Sequence, residues 1–215
     1  MNSAGDAFPF PFRSPGWLGT IVLQGLILII PIIGQISLLG WMLLTVDNLR
    51  EGRQELAPAG FHLSRGIRLF GVELVYGIVL AIIPSILATI GASIMQQGNS
   101  AGAALVALGN LLSLAVGLLF AFLLPALILI TYERGFSAAL DVGAVWRLAT
   151  ADVSNTIIAA LLILVTHLIA AVGLVLCFVG IYFTSVYAYG ATAGIIDWYR
   201  RIQTREASVG PSFAG

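Results

Sequence analysis

Glu73 and His167 are the side chains of this sequence best placed for proton or ligand chemistry, because each stands within or at the edge of a long apolar run. A carboxylate at membrane depth suggests an ion or proton site. The plainer role is favoured for Glu73: a group one turn inside the interface, paired with Arg68 or another connector arginine. His167 follows Thr166 near the middle of its run, and an imidazole there suits haem iron, chlorophyll magnesium or a proton relay. It has no second His, Cys or carboxylate at ligand spacing. The expectation is therefore a neutral ring hydrogen-bonded to a neighbouring helix, with His167 kept as a cofactor-binding candidate.

Gln24, Gln35 and Asn110 are further polar groups inside apolar runs. They suit hydrogen bonds across helices or a polar path, and are too few for an aqueous pore. Gly190-Ala191-Thr192-Ala193-Gly194 is a G-x-x-x-G pattern, which lets two helix backbones approach closely in lipid. Packing within the chain is the favoured use, and a homodimer through Gly190 and Gly194 is the sharper one. The single Cys177 cannot form an internal disulfide. No nucleophile-base constellation, phosphate-cradling glycine loop or metal-ligand cluster is present. The expectation is a non-enzymatic protein with no catalytic residue, metal or cofactor.

The elements that position these residues must be membrane helices. The chain has 215 residues, 59% of them hydrophobic and 9% charged, whereas a soluble domain carries about a quarter charged. No charged residue lies between Arg13 and Asp47, between Glu73 and Glu133, or between Asp152 and Asp197. A helical span takes roughly 20 apolar residues, so the second and third gaps each hold two spans and a turn. Continuous apolar runs of this length exclude a β-barrel and leave helices, which satisfy their own backbone in lipid. The formal net charge of +0 argues against a nucleic-acid surface. The fold class is all-α: a polytopic transmembrane bundle of four full spans plus a broken N-terminal apolar stretch.

Along the chain, residues 1–16 form an extended aromatic and proline-rich segment, 17–199 the transmembrane domain, and 200–215 a C-terminal tail. The N-terminus lacks a cleavage site and reads as retained. The stretch 17–46 breaks at Pro31-Ile32-Ile33-Gly34, leaving halves of about 21 Å that are each too short to cross. A re-entrant hairpin is favoured over one kinked span, with Trp17 and Trp41 at the interface. Spans follow at 70–95, kinked at Pro84; at 103–131, kinked at Pro125; from an N-cap at Ser154 to Val172; and from a turn at 173–180 to Trp198. In the connectors, Leu63, Ile67, Phe70 and Leu74 make one apolar stripe, and Phe136, Leu140 and Ala144 a weaker one; both suit helices at the headgroups. Apart from Arg13, the arginines fall in 47–73, 133–152 and the tail, while the turns near 96–102 and 173–180 hold none. By the positive-inside rule the charged segments and the C-terminus are cytoplasmic.

The order of features resembles the prokaryotic membrane-protein family DUF4013, a domain of unknown function. The likeness rests on Phe10-Pro11-Phe12, Pro15 and Trp17; on Pro31-Ile32-Ile33-Gly34 and Gly40-Trp41; on Arg50, Gly52, Leu56, Pro58, Phe61 and Gly66; and on Phe136-Ser137-Ala138-Ala139. It spans nearly the whole chain. The resemblance implies a multi-pass protein of four to six helices in the prokaryotic cytoplasmic membrane, and it brings no active site. The expected function is a scaffold, assembly factor or accessory subunit of a membrane complex, whose partners are the lipid bilayer and other membrane subunits. A small transporter or channel is the first alternative and a pigment- or cofactor-carrying subunit the second.

Overall fold

The structure, a computed structural model, describes residues 3–176 and 179–208, and every regular element among them is helical. A 3₁₀ turn at Ala4–Ala7 precedes α1 (Phe10–Arg13), α2 (Trp17–Leu28), α3 (Ile33–Arg50), α4 (Leu63–Gln96), α5 (Ala101–Arg134), α6 (Phe136–Ala139), α7 (Val142–Ala151), α8 (Val153–Leu176) and α9 (Gly180–Ser208). Cys177 lies outside the described residues. Among the described residues three helices, α4, α5 and α8, are long and apolar enough to cross a membrane. The fourth expected span, α9, has 29 residues, but its tyrosines and its charged last third keep it out of that set.

The broken stretch reverses direction. Gln24 Nε2 donates to Ser37 Oγ at 3.2 Å, a contact that a continuous helix would place about 20 Å apart. At the reversal, Ile33 N bonds Pro31 O at 2.6 Å and Ile32 has φ 63° and ψ −58°. This is the rarer γ-turn form, strained for a β-branched residue. With 12 residues, α2 is only about 18 Å long, so it cannot cross a bilayer alone.

α3 is the centre of the packing. Thirteen of its 18 residues are buried, from Gly34 to Leu49, as expected of a helix surrounded by others rather than set on a surface. It crosses α4 where Gly40 faces His62 O and Gly66 faces Ile36 O, so close that a Cβ at either glycine would strike backbone. It runs alongside α9, tied at one end by Gln35 to Tyr189 and at the other by Arg201 to Leu49 O. α8 and α9 form an antiparallel pair joined by Thr166–Thr192 and Thr156–Tyr199 hydroxyl contacts at 3.1 and 2.8 Å.

The sequence reading needs correction at several places. The described part of the 1–16 segment, residues 3–16, is not extended: Pro9 and Pro11 sit at the start of α1, where the first N–H groups have no helical partner to lose. Phe10 is buried beside Trp41 and Ile21, and Phe12 stacks on Tyr187. Trp41 is fully buried, its Nε1 donating to Ala57 O at 2.8 Å, and is not an interfacial anchor. The stripe Leu63–Leu74 is no separate connector helix, because α4 runs unbroken through it; Gly66, Leu69 and Val72 turn inward while Leu63, Ile67 and Leu74 face out. Asp152, not Ser154, caps α8, accepting from Asn155 N at 3.1 Å. The helices also run beyond the expected ends of the last hairpin: α8 passes through Gly173 to Leu176, and α9 starts at Gly180 and reaches Ser208.

Candidate functional site

The first polar site gathers residues from all four of α3, α4, α8 and α9 near the break. Gln35, two residues into α3, donates to the Tyr189 hydroxyl of α9 at 3.1 Å. Glu73 of α4 is close enough to that hydroxyl to interact with it electrostatically. The His167 ring of α8 stands edge-on to Tyr189 with centroids 5.9 Å apart. His167 Nδ1–H donates to Ile163 O at 2.8 Å, which leaves Nε2 as the free acceptor of the ring. Glu73 therefore does not pair with Arg68; among the described residues it has no ion pair or hydrogen bond. His167 is bound within its own helix and not to a neighbouring one. Among the described residues no three metal-ligating side chains come together, at His167 or elsewhere.

Gln24 serves structure. Its amide is fully buried, donating to Ser37 Oγ and accepting from Gly60 N at 3.0 Å. Through it the segment after α3 is folded back against the α2–α3 hairpin, where Ser37 Oγ also donates to Gly60 O at 2.8 Å. Gly190 and Gly194 are buried within the chain. A Cβ at Gly190 would meet Leu56, Pro11 and Trp41 at 3.3–3.5 Å. Internal packing is thus the use the structure shows for Gly190, and a homodimer through this pair would require a face that the chain itself covers.

At the opposite end of α3 the charged segments converge. Asp47 is held by Arg65 and by the Tyr132 hydroxyl, the latter at 2.7 Å. Asp197 of α9 is fully buried, with Arg200 at 3.0 Å and Arg201 at 2.8 Å. Since Arg201 also donates to Leu49 O, this group locks the end of α9 to the end of α3. The sequence marked Asp197 only as the edge of a charge-free run. Its neighbours at i+3 and i+4, both arginine, were the signal for a helical ion-pair group.

The third feature faces outward. α4 and α5 pack backbone to backbone: a Cβ at Gly91 would come within 2.7–2.9 Å of Val106 N and Gly102 O, and one at Gly109 would meet Ala88 N and Pro84 O. At 100° per residue, one flank of this contact carries Ala81, Ser85 and Ala92 on α4 and Ala103, Asn110 and Gly117 on α5. In an antiparallel pair these two flanks fall on the same side. All six residues are exposed. A Cβ at Gly117 would find no atom within 4 Å. Asn110 has no hydrogen-bond partner among the described residues.

The model of the family described as "Protein of unknown function (DUF4013)" matches residues 23–180. The chain belongs to this family. The DUF4013 match takes in the α2–α3 reversal, the α4–α5 hairpin and α8, and stops where α9 begins. It therefore covers Gln35, Glu73, Asn110 and His167 but neither Tyr189 nor Asp197. No curated protein and no solved structure matches the chain.

Proposed function

We propose that this family member is a non-enzymatic membrane component, a scaffold or accessory subunit that holds a transmembrane helix of another subunit against its α4–α5 hairpin. The supporting observation is the exposed side of that hairpin with small residues on both helices and Asn110 at its centre. In hydrocarbon a side-chain amide without a partner is costly, and small residues permit the close backbone approach that drives helix association in lipid. A partner helix offering a hydroxyl or amide opposite Asn110 would answer both. The positive-inside rule supports a cytoplasmic side for the arginine-rich end, and the family resemblance supports a prokaryotic membrane.

The test is photocrosslinking in native membranes from a probe at Ser113, beside this face, and from one at Val79, on the far side of α4. The expected result is a discrete adduct with a second membrane protein from Ser113 alone, lost in Asn110→Leu and Gly117→Leu. Equal labelling from both positions, or none, would overturn the proposal. Adducts only with a second copy of the chain would replace the partner subunit by a homo-oligomer.

A second reading is supported by the Gln35–Tyr189 pair with Glu73 beside it at the broken helix. Broken helices and intramembrane carboxylates mark ion and substrate sites in transporters. Solute or proton flux in liposomes that falls in Gln35→Leu and in Glu73→Gln favours transport. Flux indistinguishable from empty liposomes removes it.

A further inference from the structure

We infer that the concavity between α3, α4 and α5 at the charged end binds a phosphate-bearing anion, a phospholipid headgroup or a free phosphate compound. The cavity has a volume of about 810 Å³ and is lined by Asp47, Arg50, Arg65, Arg68, Glu133 and Arg134, with the hydroxyls of Ser64 and Tyr132 among them. That size suits a small-molecule or headgroup site.

The charge within it is unbalanced. Asp47 is taken up by Arg65 and Tyr132. Arg50 lines the same hollow as Tyr132 and has no ion-pair partner among the described residues. Arg68 and Arg134 are exposed and have no ion-pair partner among the described residues. Four guanidinium groups thus face two carboxylates, one of which is already engaged. Guanidinium is the cation whose planar fork matches phosphate oxygens two at a time, and Ser64 adds a hydroxyl at the same rim.

The surroundings explain why such a cluster is tolerated. With Asp47 and Glu133 among them, the four guanidinium groups still leave the hollow with an excess of positive charge, which a further anion would offset. The turn of α4 that supplies Arg65 and Arg68 also carries Leu63 and Ile67 on a different face, 38% and 51% exposed, and Leu74 continues that ridge. A basic pocket between the helices of a membrane protein offers a site for an anionic headgroup. The pocket stands apart from the outward face of the hairpin, so it holds or fails independently of the partner-helix proposal.

The experiment is thermal unfolding of the full-length protein in nanodiscs of phosphatidylcholine, with and without phosphatidylglycerol, and in neutral detergent with and without inorganic phosphate. Wild type, Arg68→Gln/Arg134→Gln and Arg53→Gln are compared. Arg53 lies outside the cavity and is paired with Glu51. A midpoint rise of about 5 °C, as binding to the folded state gives, is expected in wild type and Arg53→Gln and should vanish in the double variant. A rise with phosphatidylglycerol alone assigns a lipid headgroup. A rise with inorganic phosphate as well assigns a site open to free phosphate. Should the double variant not fold, Arg68→Gln and Arg134→Gln are read singly, each expected to lose half the rise or more. No rise with either ligand, a rise retained in the pocket variants, or an equal loss in Arg53→Gln would overturn the inference.

Discussion

The packing around α3 and the outer half of the α4–α5 hairpin are built on opposite plans. Around α3 the side chains interdigitate as in a soluble core: Leu39, Met42, Leu69, Ile195 and Ile196 are fully buried. The polar groups there find partners inside the chain, as Gln24, Ser37, Trp41 and Thr45 all do. In the outer hairpin the two backbones touch through Gly91, Gly102 and Gly109, and the large side chains turn away. Ile78, Val79, Ile82, Ile83, Leu111 and Leu114 are all at least half exposed or nearly so. The first region keeps its shape in any solvent that leaves its core dry. The second depends on lipid, or on another helix, for most of its contacts.

That contrast can be broken most severely at the α3–α4 crossing. Gly66→Ala puts a methyl into Ile36 O. Because backbone rather than a flexible side chain must move, a loss of about 3 kcal/mol or more is expected, seen as little monodisperse protein after extraction. Next comes Asp197→Asn. Removing the buried carboxylate that both arginines share leaves two partly exposed guanidinium groups without their counter-charge, at a cost of about 2 kcal/mol, read as a lower unfolding midpoint. Gln24→Leu is expected to cost roughly 1–3 kcal/mol, since Gly60 N and Ser37 Oγ lose a buried partner. Protease access at the 51–62 connector should rise with it. The smallest effect belongs to the outer hairpin: Gly117→Ala meets open space and should leave the midpoint within about 0.5 kcal/mol of wild type. A large loss there would mean that the exposed face is already filled within the chain.

The helices were legible in the sequence because lipid imposes one rule, and charge-free runs obey it. The ends of α4, α5 and α8 follow from Arg68, Glu133 and Asp152 to within a turn or two. The reversal at Pro31–Gly34 was also legible, since neither half could span and both flanks carry arginine. What the sequence did not show was which polar residues meet. Gln35 and Glu73 were candidates, but Tyr189, whose hydroxyl accepts from Gln35, looked like any aromatic residue in an apolar run. Trp41 was misread because tryptophan favours interfaces on average, while here its N–H finds Ala57 O inside the fold. Residues 1–16 failed for a related reason: proline was read as a helix breaker, although at the first turn it costs nothing. In each case the partner lay far along the chain, where periodicity carries no information.

The pairing of α3 with α9 has a consequence for how the protein is made. Gln35 bonds Tyr189, which is 154 residues away, and Leu49 O bonds Arg201, which is 152 residues away. During synthesis the α2–α3 hairpin leaves the ribosome well before α9, which carries the surface that covers it. For most of translation this segment, too short in α2 to anchor itself across a bilayer, waits with Trp41 and Gln35 uncovered. A chain that stops before α9 would present that surface to the insertion machinery and to membrane proteases. The α2–α3 hairpin can therefore be sealed only once α9 has been made.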